Sequence, residues 1–142
     1  MKGEDYSKRG KKNRAAGSRF ELKVRKDLEK QGWIISKWMN NVDLEEGKII
    51  PAKRKYNPFL RALSVGTGLP DFIGFKGKGK KEVIGIEVKR KGYLNPEEKD
   101  KFNFYLDKKV FSKILIAKES KGKEDKRKTK IEYVNFAKKY GE

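Results

Sequence analysis

Two short apolar segments joined by a basic turn constrain the fold of this chain more than any other feature. The first covers residues 69–75, the second covers residues 82–88, and the turn between them is rich in Gly and Lys. Apolar segments of this length read as strands, and a short Gly-containing connection between two strands is typical of a hairpin. We therefore expect a β-hairpin near the middle of the chain.

Charged side chains stand at the adjoining ends of these two segments. Asp71 follows Pro70 near the start of the first, and Glu87 and Lys89 end the second. Because strand side chains alternate between faces, Glu87 and Lys89 share one face about 6–7 Å apart, whereas Val88 points to the other. The hairpin would bring Asp71 beside Glu87. Two carboxylates and an ammonium in one small patch outline a metal-dependent nuclease site.

The net charge indicates a polyanionic partner. The 142 residues include 38 Lys and Arg against 20 Asp and Glu, a net charge of +18. The charge is spread along the chain, and no amphipathic helix concentrates it on one face, so nucleic acid is favoured over a membrane surface. The apolar content of 35% is enough for one modest core. The composition predicts a single basic domain that binds nucleic acid.

The absence of His and Cys limits the chemistry. It excludes zinc sites, disulfides, thiol nucleophiles and imidazole catalysis, so any catalysis depends on carboxylates, Lys, hydroxyls and hard metal ions. No stretch approaches the roughly 20 apolar residues of a membrane span, and the N-terminus lacks a secretory signal, so we expect a cytoplasmic protein. The high content of Lys and Glu favours a thermophilic source.

The N-terminal region divides into an arm and a helix. Residues 1–14 are basic and nearly devoid of apolar side chains, which predicts a flexible arm before a nuclease domain over 15–142. Helical periodicity from about residue 15 to 31 places Phe20, Val24 and Leu28 on one face. Glu21 and Asp27 both border this stripe, and the helical wheel does not choose between them as a site residue. Either could equally be a surface carboxylate paired with Lys or Arg.

Residues 40–68 form a basic insertion that Pro and Gly residues make irregular. We interpret it as a long loop that contacts DNA, with Tyr56 or Phe59 able to stack on an unpaired base. An equal alternative is that Phe59, Leu60 and Leu63 form a short packing helix and that the charges are only solvated.

The C-terminal half predicts further regular elements. Asn95 as N-cap, Pro96 at N1 and Glu98 at N3 define a helix start, with the helix running to about residue 109. Residues 113–117 and 130–134 read as strands, the second at an edge, followed by a short helix. Between these strands, residues 118–129 are polar and charge-dense, which favours a mobile loop.

The candidate site suits hydrolysis of a phosphodiester. Mg²⁺ or Mn²⁺ takes one or two protein carboxylates and keeps several waters, a role that Asp71 and Glu87 fit. Lys89 would hold the attacking water or stabilise the developing charge, and Glu21 could complete the ligand set. Against this, a Glu-x-Lys pair at a strand end and a Pro-Asp turn are each common on protein surfaces.

In this order the elements and motifs resemble the PD-(D/E)xK nuclease superfamily over about residues 15–117. Residues 17–21, the helix that follows and residues 86–89 are similar to archaeal Holliday-junction resolvases. Residues 66–74 and 91–98 look more like small virus-type replication-repair nucleases. The resemblance implies an α/β fold with a restriction-endonuclease-like αβββαβ core, whose central mixed sheet is flanked by helices.

The resemblance also implies roles for individual residues. It favours Glu21 over Asp27 as the helix glutamate, makes Asp71 and Glu87 the metal-binding pair, adds the Val88 carbonyl as a metal ligand and makes Lys89 the catalytic lysine. Thr67 would stand where resolvases place a hydroxyl that touches DNA or metal. The candidate DNA-binding residues are Lys11, Lys12, Arg14, Arg19, Lys53, Arg54, Lys55, Tyr56, Thr67, Arg90 and Lys91.

Two departures from the superfamily pattern bear on specificity. The insertion lengthens the gap between Glu21 and Asp71, and Glu98 replaces a Gln that is frequent in the second helix. The sequence thus predicts a Mg²⁺- or Mn²⁺-dependent DNA endonuclease selective for DNA structure, including branched and single-strand/duplex junctions, in repair or recombination. It would be a homodimer if it is a resolvase. The alternative is a non-catalytic nucleic-acid-binding module with a nuclease-like fold.

Overall fold

The protein is described by a computed structural model. The model describes the backbone of residues 2–52, 55–57, 62–64, 68–76, 81–121 and 129–140, and the side chains of these ranges except 2–13, 55–57, 62–64 and 129. The described elements are α1 (Lys2–Lys30), β1 (Ile34–Lys37), β2 (Asn40–Asp43), β3 (Lys48–Pro51), β4 (Lys55–Asn57), β5 (Ala62–Ser64), β6 (Phe72–Lys76), β7 (Glu82–Val88), α2 (Pro96–Asp107), β8 (Lys113–Lys121), β9 (Thr129–Asn135) and α3 (Phe136–Tyr140).

A five-stranded mixed sheet organises the domain, in the order β1-β6-β7-β8-β9. Strands β1, β6 and β7 are antiparallel neighbours, and β8 runs parallel to β7 after the crossover through α2. Strand β9 closes the far edge, antiparallel to β8. The predicted α/β class, the central hairpin and the edge position of the last strand are all confirmed.

Helix α1 covers one face of the sheet with its apolar stripe. Phe20, Val24 and Leu28 are buried against Ile35 and Ile84. The helix ends before Gly32, whose φ of 95° lies in the left-handed region that favours glycine. Its start at Lys2 differs from the start near residue 15 that the apolar stripe predicts. Lys, Arg and Glu are strong helix formers, so intrinsic propensity continues the helix where no stripe exists, through the predicted arm.

Helix α2 covers the other face together with α3. Phe102, Tyr105, Phe111 and Phe136 pack with Ile114 in this second core cluster. The start of α2 is the predicted capping box. The Asn95 side chain accepts from the Glu98 backbone N–H at 2.8 Å, and the Glu98 side chain accepts from the Asn95 N–H at 3.0 Å. The helix ends at Asp107, two residues before the predicted end.

The 40–68 insertion contains strands where we expected an irregular loop. Strands β2 and β3 pair from Asn40↔Pro51 to Asp43↔Lys48, and β4 pairs with β5. The backbone of residues 62–64 is extended, so the alternative packing helix does not include Leu63. Within each pair, the local pairing of two short β-prone segments outweighs the Pro and Gly residues that predicted an irregular loop. Phe59 and Leu60 lie outside the described residues.

Strands β8 and β9 extend into the segment predicted as a mobile loop. Their pairing continues to Lys121↔Thr129. Opposite charges support this extension, because Lys118 Nζ lies 3.6 Å from a carboxylate oxygen of its cross-strand partner Glu132. Residues 122–128 lie outside the described ranges. The charge density that predicted a loop thus stabilises part of a hairpin.

Candidate active site

The β6–β7 hairpin places Asp71 against the end of β7, as the sequence predicts. Phe72 is paired with Ile86, which puts Asp71 opposite Glu87. The Val88 backbone N–H donates a hydrogen bond of 2.7 Å to Asp71 Oδ2. Because this amide belongs to the residue after Glu87, the hydrogen bond fixes the Asp71 carboxylate beside that of Glu87.

Close packing around a glycine fixes the segment that precedes Asp71. A Cβ at Gly85 would lie only 2.9 Å from Pro70 Cγ, so the glycine makes room for the proline ring. The Trp38 N–H donates to the Asp71 carbonyl at 3.2 Å, and the Tyr105 hydroxyl donates to the Leu69 carbonyl at 2.6 Å. A glycine inside an apolar strand is a recognised signal of close approach by another segment. Gly85 was not among the predicted site residues.

Glu87 has a buried carboxyl group, with only 2% of its surface exposed. Burial raises its pKa well above the ordinary value, and the hydrogen-bonding contact and charge of Asp71 raise it further. The charge of Lys89 opposes this rise but does not overcome it. Ionisation of Glu87 beside Asp71 is therefore unfavourable unless a cation compensates the charge.

Lys89 forms an ion pair with a residue from α2. Its Nζ lies 2.7 Å from a carboxylate oxygen of Glu98. Desolvation is the largest effect on the pKa of Lys89 and lowers it, but the hydrogen bond to Glu98 and the charges of Glu87, Glu98 and Asp71 together raise it. Lys89 is thus an ammonium ion held in a fixed direction. Lys89 and Glu87 lie on the same patch, as the alternation of strand side chains in the sequence predicts.

Glu98 connects the start of α2 to the site. Desolvation would raise its pKa, but the hydrogen bonds from Lys89 and the Asn95 N–H, with the charge of Lys89, lower it. It also contacts Glu87. The sequence predicts the capping role of Glu98 but not its contact with Lys89. Two features of the sequence could have indicated this contact, namely the capping-box spacing and a lysine at the end of a neighbouring strand.

The structure distinguishes Glu21 from Asp27, the two helix carboxylates between which the helical wheel did not choose a site residue. Desolvation is the largest effect on the pKa of Glu21 and raises it. The charge of Asp71 raises this pKa further, whereas the charge of Lys37 lowers it. Asp27 instead accepts hydrogen bonds from the Tyr133 hydroxyl at 2.6 Å and the Gln31 side chain at 3.0 Å. Glu21 therefore belongs to the carboxylate cluster, and Asp27 joins α1 to β9.

A second cation beside the carboxylates was missed by sequence analysis. Lys37, at the end of β1, lines a small cavity of about 50 Å³ with Glu21, Asp71, Gly68 and Phe72. It is an exposed strand-end lysine in a chain with many lysines, so the sequence offers no distinguishing signal. In the fold its charge partly balances that of Glu21.

The carboxylate cluster borders an open basic cavity of about 470 Å³. Glu21 and Lys89 lie on its walls, and Val88, the residue proposed to offer a carbonyl ligand, lines it as well. An adjoining cavity of about 250 Å³ contains Arg19 and shares Arg90 with the first. The full lining of the larger cavity is Gly17, Glu21, Val88, Lys89, Arg90, Lys91, Gly92 and Tyr93.

The candidate DNA-binding residues lie in different parts of the protein, and some of them lie outside the described residues. Arg19, Arg90 and Lys91 line the two cavities, although Arg90 also pairs with Glu119 at 3.3 Å. Arg14 is exposed on α1. For Lys11 and Lys12 on α1, and for Lys55 and Tyr56 on β4, the structure gives the backbone alone. Lys53, Arg54 and Thr67 lie outside the described residues.

The donor set was tested against a hard divalent cation. In the described part of the chain, no three His, Cys, Asp or Glu side chains converge as a complete metal-binding group. Two carboxylates do converge, because Asp71 and Glu87 share a hydrogen-bonding contact in a buried setting. Mg²⁺ requires only one or two carboxylates and takes its other ligands from waters and substrate oxygens. The oxygen donors of Asp71 and Glu87 are therefore compatible in chemistry and number with Mg²⁺ or Mn²⁺.

No protein-family model, curated protein or solved structure matches this chain. None of the helices within the described ranges is long and apolar enough to cross a membrane.

Proposed function

We propose that the protein is a divalent-metal-dependent deoxyribonuclease that hydrolyses DNA phosphodiester bonds. One observation carries the proposal. The carboxyl groups of Asp71 and Glu87 are in contact, and the neighbouring Glu21 lines a basic cavity together with the Lys89 ammonium. A buried carboxylate in contact with a second carboxylate destabilises a protein unless a cation compensates the charge, so the pairing of the buried Glu87 with Asp71 is explained best by binding of a metal ion.

The arrangement of elements supports a restriction-endonuclease-like core. Omitting the two small hairpins of the insertion, the chain follows the order α1-β1-β6-β7-α2-β8, which is αβββαβ. In this order, β1, β6 and β7 form an antiparallel meander and β8 adds in parallel. The carboxylates stand at the meeting point of β6 and β7, where the resemblance to PD-(D/E)xK nucleases expects them.

The reaction has defined roles for the residues of the cluster. A water oxygen forms a bond to phosphorus and the water releases a proton, while the bond from phosphorus to the departing sugar oxygen breaks and that oxygen takes up a proton, so that one water is consumed in total. A bound Mg²⁺ or Mn²⁺ would neutralise charge on the phosphoryl oxygens and lower the pKa of water. Lys89, held by Glu98, supplies a fixed positive charge to the developing phosphoryl charge or to the attacking water. Glu21 orients a water or completes the ligand set.

The distribution of charge supports DNA as the substrate. The net charge of +18 favours any polyanion, and Arg19, Lys89, Arg90 and Lys91 surround the cavities next to the carboxylates. Backbone contacts of this kind select DNA by shape rather than by sequence. We propose a preference for branched DNA or single-strand/duplex junctions, with a homodimer if four-way junctions are cut, and a cytoplasmic setting.

A cleavage assay tests this function. Labelled duplex, single-stranded, flapped and four-way-junction DNA is incubated with the protein in Mg²⁺, Mn²⁺ or EDTA. We expect metal-dependent cutting that Asp71→Ala and Glu87→Ala abolish and that Asp100→Ala, on the exposed side of α2, retains. Cutting that survives both site substitutions would overturn the assigned site. Binding without cutting in any metal would support the non-catalytic module instead.

A further inference from the structure

Tyr93 is an exposed aromatic side chain at the candidate site. It is 77% exposed, the greatest fraction among the large apolar side chains that the structure describes as exposed. It lines the same cavity as Glu21 and Lys89. An exposed ring is not needed for the core, because Leu94, the next residue, is the one that is buried. The ring is therefore an exposed part of the wall of this cavity.

The turn that carries Tyr93 is anchored on both sides. The Gly92 N–H donates to the Lys89 carbonyl at 2.9 Å, and the Glu119 N–H donates to the Arg90 carbonyl at 3.0 Å. Gly92 has a φ of 80°, and a Cβ there would lie 2.8 Å from Lys118 Cδ. After Tyr93, the buried Leu94 and the Asn95 capping box fix the chain. The ring is thus attached to a preorganised backbone, which reduces the entropy lost on binding.

Positive charge surrounds this ring. Lys89, Arg90 and Lys91 precede it in sequence and line the same cavity. Cations that contact phosphates, together with an aromatic face that contacts a base, are the two parts of a single-stranded nucleic-acid site. An unpaired nucleotide accounts for both the ring and the charges.

We infer that Tyr93 stacks on an unpaired nucleobase next to the scissile phosphate, which a metal ion at Asp71 and Glu87 would hold, and that this stacking makes single-strand/duplex junctions the favoured substrates. The inference rests on the proposed function for the position of that phosphate. In continuous duplex both faces of a base are already stacked on its neighbours, so Tyr93 gains no stacking there. The residue would therefore determine specificity without taking part in the bond-breaking step.

Binding measurements without cleavage test the inference. Affinities for a 3′ overhang, a 5′ overhang and blunt duplex are measured in Ca²⁺ or EDTA, with 2-aminopurine placed at successive unpaired positions. Stacking on an aromatic side chain contributes ~1–3 kcal/mol per base, so Tyr93→Leu should weaken overhang binding by about fivefold or more. Duplex affinity should stay within about twofold, and the quenching of one 2-aminopurine should be lost.

Two further variants separate stacking from other effects. Tyr93→Phe keeps the ring and should retain both the affinity and the quenching. Ile34→Ala removes an exposed apolar side chain from the far end of β1, opposite to Lys37, and should change nothing. Thermal unfolding should show that all three variants remain folded, because Tyr93 contributes little to the core.

The outcomes distinguish this inference from the proposed nuclease activity. Equal weakening of overhang and duplex binding by Tyr93→Leu, or no weakening of either, overturns the stacking role while metal-dependent cutting still supports the nuclease. Loss of overhang binding and quenching in a protein that cuts no DNA supports stacking and overturns the nuclease. Absence of binding to any DNA overturns both.

Discussion

Lys89 Nζ lies 2.7 Å from a carboxylate oxygen of Glu98, an ion pair between the end of β7 and the first turn of α2. The same Glu98 side chain accepts from the Asn95 N–H at 3.0 Å. One carboxylate thus both caps the start of the helix and orients the ammonium beside the proposed metal-binding pair. Glu98 is a positioning residue, because it acts through Lys89.

Substitution of Glu98 should therefore slow DNA cleavage more than its effect on stability explains. Glu98→Ala removes a charge-assisted hydrogen bond of roughly 1.5–3 kcal/mol, so we expect cleavage to fall by about tenfold or more. Glu98→Gln keeps an acceptor for both Lys89 and Asn95 and should restore most of the rate. The measurement is a single-turnover cleavage rate beside a thermal melt.

Asn95→Ala is the matched control for Glu98→Ala. It breaks the same capping box and should cost about 1 kcal/mol of stability, but it leaves Lys89 paired. Its cleavage rate should stay near that of the natural protein. Equal loss of activity in Asn95→Ala and Glu98→Ala would show that the helix start, and not the contact with Lys89, matters.

Glu87→Gln should make the metal-free protein more stable at neutral pH. The pKa of Glu87 in the folded protein lies above its ordinary value of 4.5, because of burial and the neighbouring Asp71. The stability contributed by this proton is fully present below pH 4.5 and is lost as the pH rises through the folded-state pKa. Glutamine imitates the protonated acid, so removing the buried charge should add roughly 1–3 kcal/mol at pH 8.

Thermal unfolding in EDTA between pH 4.5 and 8.5 measures this effect. The gap between Glu87→Gln and the natural protein should widen as the pH rises. Glu82→Gln, at the other end of the same strand, serves as the control and should show no such widening. If Glu87→Gln melts at a lower temperature than the natural protein at pH 8, the Glu87 carboxylate is already stabilised by groups within the protein and does not require a bound cation.

Divalent ions should stabilise the folded protein through the same two carboxylates. A ligand at a hundred times its Kd adds about 2.7 kcal/mol when it binds only the folded state. We expect Mg²⁺ and Mn²⁺ to raise Tm in the natural protein and in Asp100→Asn, but not in Asp71→Asn or Glu87→Gln. Differential scanning fluorimetry over a metal titration measures this. An equal rise in all four proteins would place the ion elsewhere.

Glu21 and Asp27 should respond in opposite ways to truncation. Asp27→Ala loses the hydrogen bonds from Tyr133 and Gln31, so we expect a loss of roughly 1–3 kcal/mol of stability with cleavage retained. Glu21→Ala should slow cleavage by about tenfold or more and leave the melting temperature unchanged or higher, because alanine is a better helix former. The reverse pattern would exclude Glu21 from the site.

The central hairpin and its carboxylates could be predicted because they depend on local rules. Strand alternation placed Glu87 and Lys89 on one patch, and the short turn brought Asp71 to Glu87. The capping box was equally local, since Asn95 and Glu98 are three residues apart. Periodicity also found the buried stripe of α1. Each of these inferences needed only neighbours along the chain.

The remaining features depend on contacts between distant segments. The Lys89–Glu98 pair, the position of Lys37 and the choice of Glu21 over Asp27 all required the packing of helices on the sheet. The predicted start of α1 was wrong because the apolar stripe indicates which residues of the helix are buried, and not where helical propensity begins. The hairpins of the insertion were missed because Gly and Pro mark turns within short hairpins as readily as they mark long loops.

Asp71→Asn gives the most direct test of the account, because asparagine still accepts the hydrogen bond from the Val88 N–H but cannot supply a carboxylate. DNA affinity is measured in Ca²⁺, and the single-turnover cleavage rate of the same junction substrate is measured in Mg²⁺ and Mn²⁺. We predict that the variant binds DNA within about threefold of the natural protein while its cleavage rate falls by three orders of magnitude or more, the loss of roughly 4 kcal/mol of transition-state stabilisation. Cleavage at an undiminished rate by a folded Asp71→Asn protein would contradict the account.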